Sequence, residues 1–114
     1  MVNFKEWDLK RLRIPISVEY SLDTEVEILP VSYLGLSGMF VETSLNYPVG
    51  VNVVVRFYIP QFDKVVEAVG EVVANIKEDM DDKNWGLPGI LVKFKAMEDK
   101  DKDYLKTFLS EMAV

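Results

Sequence analysis

The chain has 114 residues, of which 49% are apolar and 28% are charged, and its formal net charge at pH 7 is −6. This length and composition are typical of one soluble globular domain with a single core. The chain contains no cysteine and no histidine. Disulfides and thiol chemistry are therefore excluded, and so are the commonest general base and transition-metal ligand.

The acidic balance of charge argues against a protein that coats nucleic acid or anionic lipid, because both need a basic surface. No apolar run approaches the roughly 20 residues that a membrane-spanning helix needs. The first residues also lack the apolar stretch of a secretory signal. We therefore expect a cytoplasmic, non-catalytic protein without a cofactor, a metal site or a membrane span.

The chain in order begins with residues 1–12, where charges mix with aromatic residues without clear alternation, and this segment is predicted to be a tail. From Ile14 onward, apolar and polar residues alternate, which indicates a half-buried strand. Similar patterns separated by short turns predict six strands, at about 14–20, 25–33, 38–43, 51–59, 65–76 and 89–96. Gly70, in the middle of the fifth, predicts a bulge or a sharp bend.

The C-terminal segment changes to helical spacing of its apolar residues, and acidic residues near its start suit the positive end of a helix at about 99–112. Short turns favour antiparallel neighbours, and strands bent at glycines favour closure. The sequence therefore predicts one domain over residues 13–114, an antiparallel six-stranded β-barrel followed by one α-helix.

Two features could bind an anion. The first is a basic cluster, Lys10, Arg11 and Arg13, which holds two of the chain's three arginines. Arginine offers a planar fork of donors that matches phosphate and stacks on purines. The second is the turn that contains Gly35 and Gly38. The simpler interpretation is that the basic residues are solvated surface, and that the glycines allow positive φ or close backbone packing.

The acidic residues offer little chemistry. The run from Glu78 to Asp82 lacks the ligand spacing of a calcium-binding EF-hand and is predicted to be a solvated loop. Glu67 and Glu71 share a face of the fifth strand but lie about 13 Å apart by the usual rise. That separation is too large for a pair of glycosidase carboxylates, so a small carboxylate enzyme is disfavoured.

Several short motifs, taken in order over about residues 9–112, resemble the PilZ domain, a bacterial module best known as a receptor for cyclic di-GMP. The motifs are Arg-Ile-Pro at 13–15, the glycine turn and the strand after it at 33–43, Pro-Val-Gly at 48–50, Arg-Phe-Tyr-Ile-Pro at 56–60, Gly-Glu-Val-Val at 70–73 and Gly-Ile-Leu-Val-Lys-Phe at 89–94. The resemblance implies a six-stranded antiparallel barrel followed by a helix, which agrees with the prediction from periodicity.

The first ligand motif of PilZ receptors is an Arg-x-x-x-Arg segment ahead of the first strand. Arg13 matches its second arginine, but Leu9 stands in the position of the first. Lys10 and Arg11 are near enough to replace the missing arginine only if the N-terminal segment shifts.

The second ligand motif of the family is Asp/Asn-x-Ser-x-x-Gly. When Gly38 is aligned with its final glycine, Tyr33 takes the acid or amide position and Gly35 takes the serine position. Hydrogen bonds to charged groups contribute about 1.5–3 kcal/mol each, so losing three such groups would cost about 4–8 kcal/mol. A micromolar ligand binds with only about 8 kcal/mol.

The leading hypothesis is therefore a non-catalytic PilZ-like adaptor that acts through protein contacts in bacterial signalling or motility, with weak or lost binding of cyclic di-GMP. The alternative is a working cyclic di-GMP receptor that uses a displaced basic clamp at Lys10, Arg11 and Arg13. If cyclic di-GMP binds, the candidate ligand-binding residues are Lys10, Arg11, Arg13, Tyr33, Gly35 and Gly38.

Overall fold

The structure is a computed structural model that describes residues 9–22, 25–43, 47–76 and 88–112. Its elements are β1 (Lys10–Leu22), β2 (Glu25–Leu34), β3 (Gly38–Glu42), β4 (Asn52–Ile59), β5 (Lys64–Ile76), β6 (Gly89–Met97) and α1 (Asp99–Met112). In space the strand order is β1-β2-β3-β6-β5-β4, and pairing of β1 with β4 closes an antiparallel barrel. The predicted six-stranded antiparallel barrel with one C-terminal helix is thus confirmed.

Three sequence predictions fall outside the described residues. They concern the first eight residues of the tail, the middle of the turn between β1 and β2 at residues 23 and 24, and the acidic loop at 77–87.

The core forms because apolar residues alternate along the strands and every second side chain points inward. In β4 the inward positions are Val53, Val55, Phe57 and Ile59, all of them buried. The outward positions between them are exposed or half-buried. The rings of Phe57 and Phe94 stack inside with their centroids 6.5 Å apart.

The first strand begins earlier than its sequence pattern indicates. Residues 10–12, which the sequence places in the tail, belong to β1, where Lys10 pairs with Leu34 and Arg11 pairs with Tyr33. The register between β1 and β2 then shifts between Arg11 and Ile16. Three of the four residues from 10 to 13 are basic and resemble solvated surface, which is why the strand pattern is readable only from Ile14. Pro15 lies within this irregular stretch, where a residue without a backbone N–H disrupts the fewest hydrogen bonds between strands.

The bend predicted at Gly70 is present. The register between β5 and β6 shifts between Val69 and Gly70. A β-carbon built on Gly70 would lie 2.5 Å from Val92 Cγ1 and 3.1 Å from the carbonyl oxygen of Lys93. Glycine is therefore required at this position by the close approach of β6.

The helix α1 covers part of the barrel core with Leu105, Phe108 and Leu109, which are all buried. Asp101 in its first turn is also buried, and its Oδ2 accepts a hydrogen bond from the Glu67 backbone N–H at 3.3 Å. Within the described ranges, no helix is long and apolar enough to cross a bilayer.

The connection from β4 to β5 is a short 3-10 turn, Pro60–Phe62, followed by Asp63 in a left-handed conformation with φ of 50°. The Tyr58 hydroxyl donates a hydrogen bond to Asp63 Oδ1 at 2.7 Å. The ring of Phe62 lies 5.8 Å from that of Tyr104, so this turn contacts α1.

Candidate functional site

The glycine turn between β2 and β3 is fixed by backbone hydrogen bonds. The Gly35 N–H donates to the Gly38 carbonyl at 2.9 Å, and the Phe94 N–H donates to the Ser37 carbonyl at 2.8 Å. Gly35 and Gly38 are both buried, while the glycine with a positive φ among the described residues is Gly50, at 95°. Glycine at positions 35 and 38 is therefore not explained by a left-handed backbone.

Two of the basic residues, Lys10 and Arg11, are paired with residues at the start of this turn. Lys10 is the cross-strand partner of Leu34, and Arg11 is the partner of Tyr33. Directly paired residues project from the same face of a sheet, so Arg11 and Tyr33 share one face. Arg11 is exposed. Arg13 lies in β1, within the register shift that follows Arg11.

A second apolar cluster lies on this face, separate from the core. We call it the outer cluster, and its buried members are Phe40, Ile76 and Leu91. Phe40 alternates along β3 with Met39 and Val41, which belong to the core. Since neighbouring side chains in a strand point to opposite faces, Phe40 projects from the outside of the barrel.

Two positions of the family's ligand motifs carry side chains that contact this cluster. Leu9 and Tyr33 are partly buried and pack against it. The rings of Tyr33 and Phe40 meet edge to face, with centroids 6.1 Å apart and an interplanar angle of 74°. The residue before β1 and the residue at the start of the glycine turn therefore both pack against the outer cluster.

One basic residue next to the turn was not predicted from the sequence. Lys93 in β6 is the cross-strand partner of Gly38, and it is exposed. It stands within the motif at residues 89–94, but nothing in that motif marks it as a neighbour of the turn. Only the pairing of β3 with β6 brings it to the turn.

The two carboxylates that the sequence places on one face of β5 are engaged in ion pairs. Glu67 Oε2 lies 2.6 Å from Arg56 Nε, and Glu71 Oε1 lies 2.6 Å from Lys95 Nζ. In the part of the chain that the structure describes, no three acidic side chains come together in a group that could hold a metal ion.

Comparison with known protein families gives a match along most of the chain. The PilZ domain family matches residues 9–111. The chain belongs to the PilZ domain family. PilZ domains are cyclic di-GMP-binding and adaptor modules that act in signalling rather than catalysis. A search of curated proteins found no significant match to this chain.

Two solved structures resemble this PilZ domain. The inhibitor of motility MotI/DgrA of Bacillus subtilis has a TM-score of 0.72 and 12% identity, over 91% of this chain and 49% of that one. The PilZ domain of YcgR from Escherichia coli, solved with cyclic di-GMP, has a TM-score of 0.68 and 15% identity, over 91% and 86% of the two chains. The chain thus spans about half the length of the Bacillus protein. At these identities the likeness shows the fold.

Proposed function

We propose that this PilZ domain is a non-catalytic adaptor of the cytoplasm that acts mainly through protein contacts in bacterial signalling or motility. Its binding of cyclic di-GMP is weak or lost. The proposal rests on the conversion of ligand-motif positions into apolar packing positions. A role in motility is also suggested by the similarity of the fold to that of the inhibitor of motility of Bacillus subtilis.

The observation that carries the proposal is the role of Leu9 and Tyr33. These residues stand where the family motifs have an arginine and an acid or amide, and both pack against the outer cluster. Leucine offers no donor to a phosphate, and a tyrosine phenol cannot make the paired hydrogen bonds of a carboxylate or amide. Both positions contribute apolar burial in place of the polar groups that a dinucleotide needs.

The buried turn supports the same conclusion. Gly35 stands where the motif has serine, and it is buried with its backbone N–H bonded to the Gly38 carbonyl. The backbone bonds that hold the turn need no side chain from this residue. The turn therefore keeps its shape without the hydroxyl that would contact a ligand.

The direct test is calorimetric titration of the full chain with cyclic di-GMP at low salt. We expect no saturable heat, or a dissociation constant weaker than about 100 µM, because the lost groups would have supplied most of the binding free energy. A dissociation constant in the low micromolar range or tighter would overturn the proposal.

The alternative is a working receptor with a displaced basic clamp, and one observation favours it. Arg11 is exposed on the face of Tyr33, and Lys93 is exposed opposite Gly38. Arg11 and Lys93 therefore place two exposed basic side chains around the turn of an otherwise acidic protein. That charge would attract a phosphate even without the family's first arginine.

The alternative makes its own predictions. Binding would be abolished by Arg13→Ala, reduced by Arg11→Ala, and weakened as salt rises, because exposed charges are screened. Arg56→Ala is the matched control, since it removes the remaining arginine of the chain from β4, where it is paired with Glu67. Wild-type protein that shows no binding at low salt would rule this alternative out.

A further inference from the structure

The strand β5 is longer than the strand that covers one of its edges. β4 pairs with β5 from Lys64 to Glu71, whereas β5 continues to Ile76. An uncovered strand edge presents unpaired N–H and C=O groups and can pair with another chain. Residues 47–51, which precede β4 and which we call the strap, continue the line of β4 along this remaining edge.

Backbone hydrogen bonds join the end of the strap nearest β4 to Val72 of β5. The Gly50 N–H donates to the Val72 carbonyl at 2.7 Å, and the Val72 N–H donates to the Val51 carbonyl at 3.0 Å. The strap turns just before these bonds, where the Val51 N–H donates to the Pro48 carbonyl at 3.4 Å and Gly50 has its positive φ. This end of the strap is therefore paired with β5 as a strand would be.

The other end of the strap is held by a side chain. Asn75 Oδ1 accepts a hydrogen bond from the Tyr47 N–H at 3.0 Å, and Asn75 Nδ2 donates one to the Tyr47 carbonyl at 2.7 Å. A side-chain amide carries a donor and an acceptor close together, so it bonds both backbone groups of one residue. We call this pair of hydrogen bonds the latch. Through it, Asn75 takes the place of a strand partner for Tyr47, whose own side chain is buried in the core.

An irregularity in β5 directs Asn75 toward the strap. The register between β5 and β6 shifts between Val72, which lies in the core, and Ala74, which packs against the outer cluster. Asn75 is the cross-strand partner of the core residue Ile90, so it lies on the inner face of the sheet. Regular alternation from Val72 would place residue 75 on the outer face. The shift therefore brings the amide to the face on which Tyr47 lies.

We propose that the strap opens as a unit of its own, and that Asn75 holds it closed over the end of β5. Residues 48–50 are exposed, and segments with exposed backbone hydrogen bonds and few buried contacts are the ones that open locally. One side chain supplies both bonds of the latch, so losing it releases both backbone groups of Tyr47 from Asn75 at once. Opening uncovers the β5 edge at Val72, to which a partner protein can add a strand. The latch therefore controls access to this edge.

The first test is native-state hydrogen exchange of the full wild-type chain, followed by NMR in urea below the unfolding transition. We expect the Tyr47 and Gly50 amides to exchange about tenfold or more faster than the slowest amides of β4 and β5, relative to their intrinsic rates. Their exchange should depend little on urea, because local opening exposes little surface. Strap amides that match the slowest amides in rate and in urea dependence would overturn the proposal, whether or not cyclic di-GMP binds.

The second test removes the latch. Asn75→Ala should speed exchange of the Tyr47 and Gly50 amides by about tenfold to a hundredfold more than that of the slowest amides, because two hydrogen bonds of ordinary strength are lost from the strap alone. Asn52→Ala is the matched control, because it makes the same change at an exposed asparagine next to the strap, and it should leave this difference unchanged. Equal behaviour of the two variants, or equal acceleration of all amides in Asn75→Ala, would contradict the proposal.

A third variant separates the hydrogen bonds of the latch from the packing of its side chain. Asn75→Asp keeps nearly the same shape but replaces the donor with a second acceptor, so the Tyr47 carbonyl faces an oxygen. We expect the Tyr47 amide to exchange at least about tenfold faster than in the wild type. If aspartate keeps the protection of the wild type, packing rather than the amide holds the strap, and Asn75 is not its latch.

Discussion

Replacing Tyr33 by aspartate introduces the acid of the family's second motif and removes an aromatic ring from the outer cluster. Tyr33 is half-buried, packs against this cluster and meets Phe40 edge to face. The substitution therefore tests whether this position is committed to apolar packing. The proposed function requires that the ring of Tyr33 is held in this packing.

The expected cost follows from the packing of the ring. A half-buried aromatic side chain removes about 100 Å² from water, which corresponds to about 2.5 kcal/mol at 25 cal/mol/Å². The edge-to-face contact adds about 0.5–1.5 kcal/mol. A cross-strand pair between the new carboxylate and Arg11 returns at most about 1 kcal/mol. We expect Tyr33→Asp to lower the free energy of unfolding by about 2–3 kcal/mol.

The assay is urea denaturation followed by circular dichroism, in which this loss moves the midpoint by about 1–2 M. Leu36→Asp is the matched control, because it introduces the same charge at an exposed apolar position of the adjacent turn, and its effect should stay within about 0.5 kcal/mol. If Tyr33→Asp is as mild as the control, the ring is not committed to packing. The position would then be open to ligand chemistry, and the proposed loss of binding would lose its support.

Three further predictions concern the scaffold. Gly89→Ala should destabilise the domain by about 1–3 kcal/mol in urea denaturation, because its β-carbon would lie 2.5 Å from Phe40 Cζ; a neutral effect would contradict this close approach. Asp101→Ala should cost about 1–3 kcal/mol by leaving the Glu67 backbone N–H without its acceptor, whereas Asp101→Asn keeps an acceptor oxygen and should cost clearly less. The Tyr58 hydroxyl donates a hydrogen bond to the Asp63 carboxylate, and this bond raises the pKa of Tyr58 above its ordinary value of 10.0. The stabilisation that the hydrogen bond gives is therefore full below pH 10 and is lost as pH rises through the pKa of Tyr58 in the folded state. The stability difference between wild type and Tyr58→Phe should therefore shrink above pH 10, and a difference that does not change with pH would argue against the bond.

The strands were readable from sequence where apolar and polar residues alternate and hidden where charged residues dominate. The pattern of β4 is uninterrupted, and its predicted start differs from the observed one by a single residue. The start of β1 was placed at residue 14 rather than Lys10 because three of the four residues from 10 to 13 are basic and resemble solvated surface. The register shift after Arg11 is a property of two paired strands, and no glycine marks it in the sequence as Gly70 marks the shift in β5.

The candidate site was only partly accessible to sequence reasoning. The basic residues and the glycine turn are close in sequence, and pairing of β1 with β2 brings Arg11 opposite Tyr33. Lys93 is distant in sequence and reaches the turn only through the pairing of β3 with β6. The packing role of Leu9 was also hidden, since its contacts are made by residues from other strands.

By itself, the sequence determined the fold class, the order of the elements and the family, because alternation, turn residues and short motifs are local properties. The tertiary structure decided how distant strands meet. It placed Leu9 and Tyr33 on one outer cluster, and it brought Lys93 of β6 beside Gly38 of the turn. Each of these arrangements depends on the closure and register of the barrel, which arise from pairing between strands that are far apart in the chain.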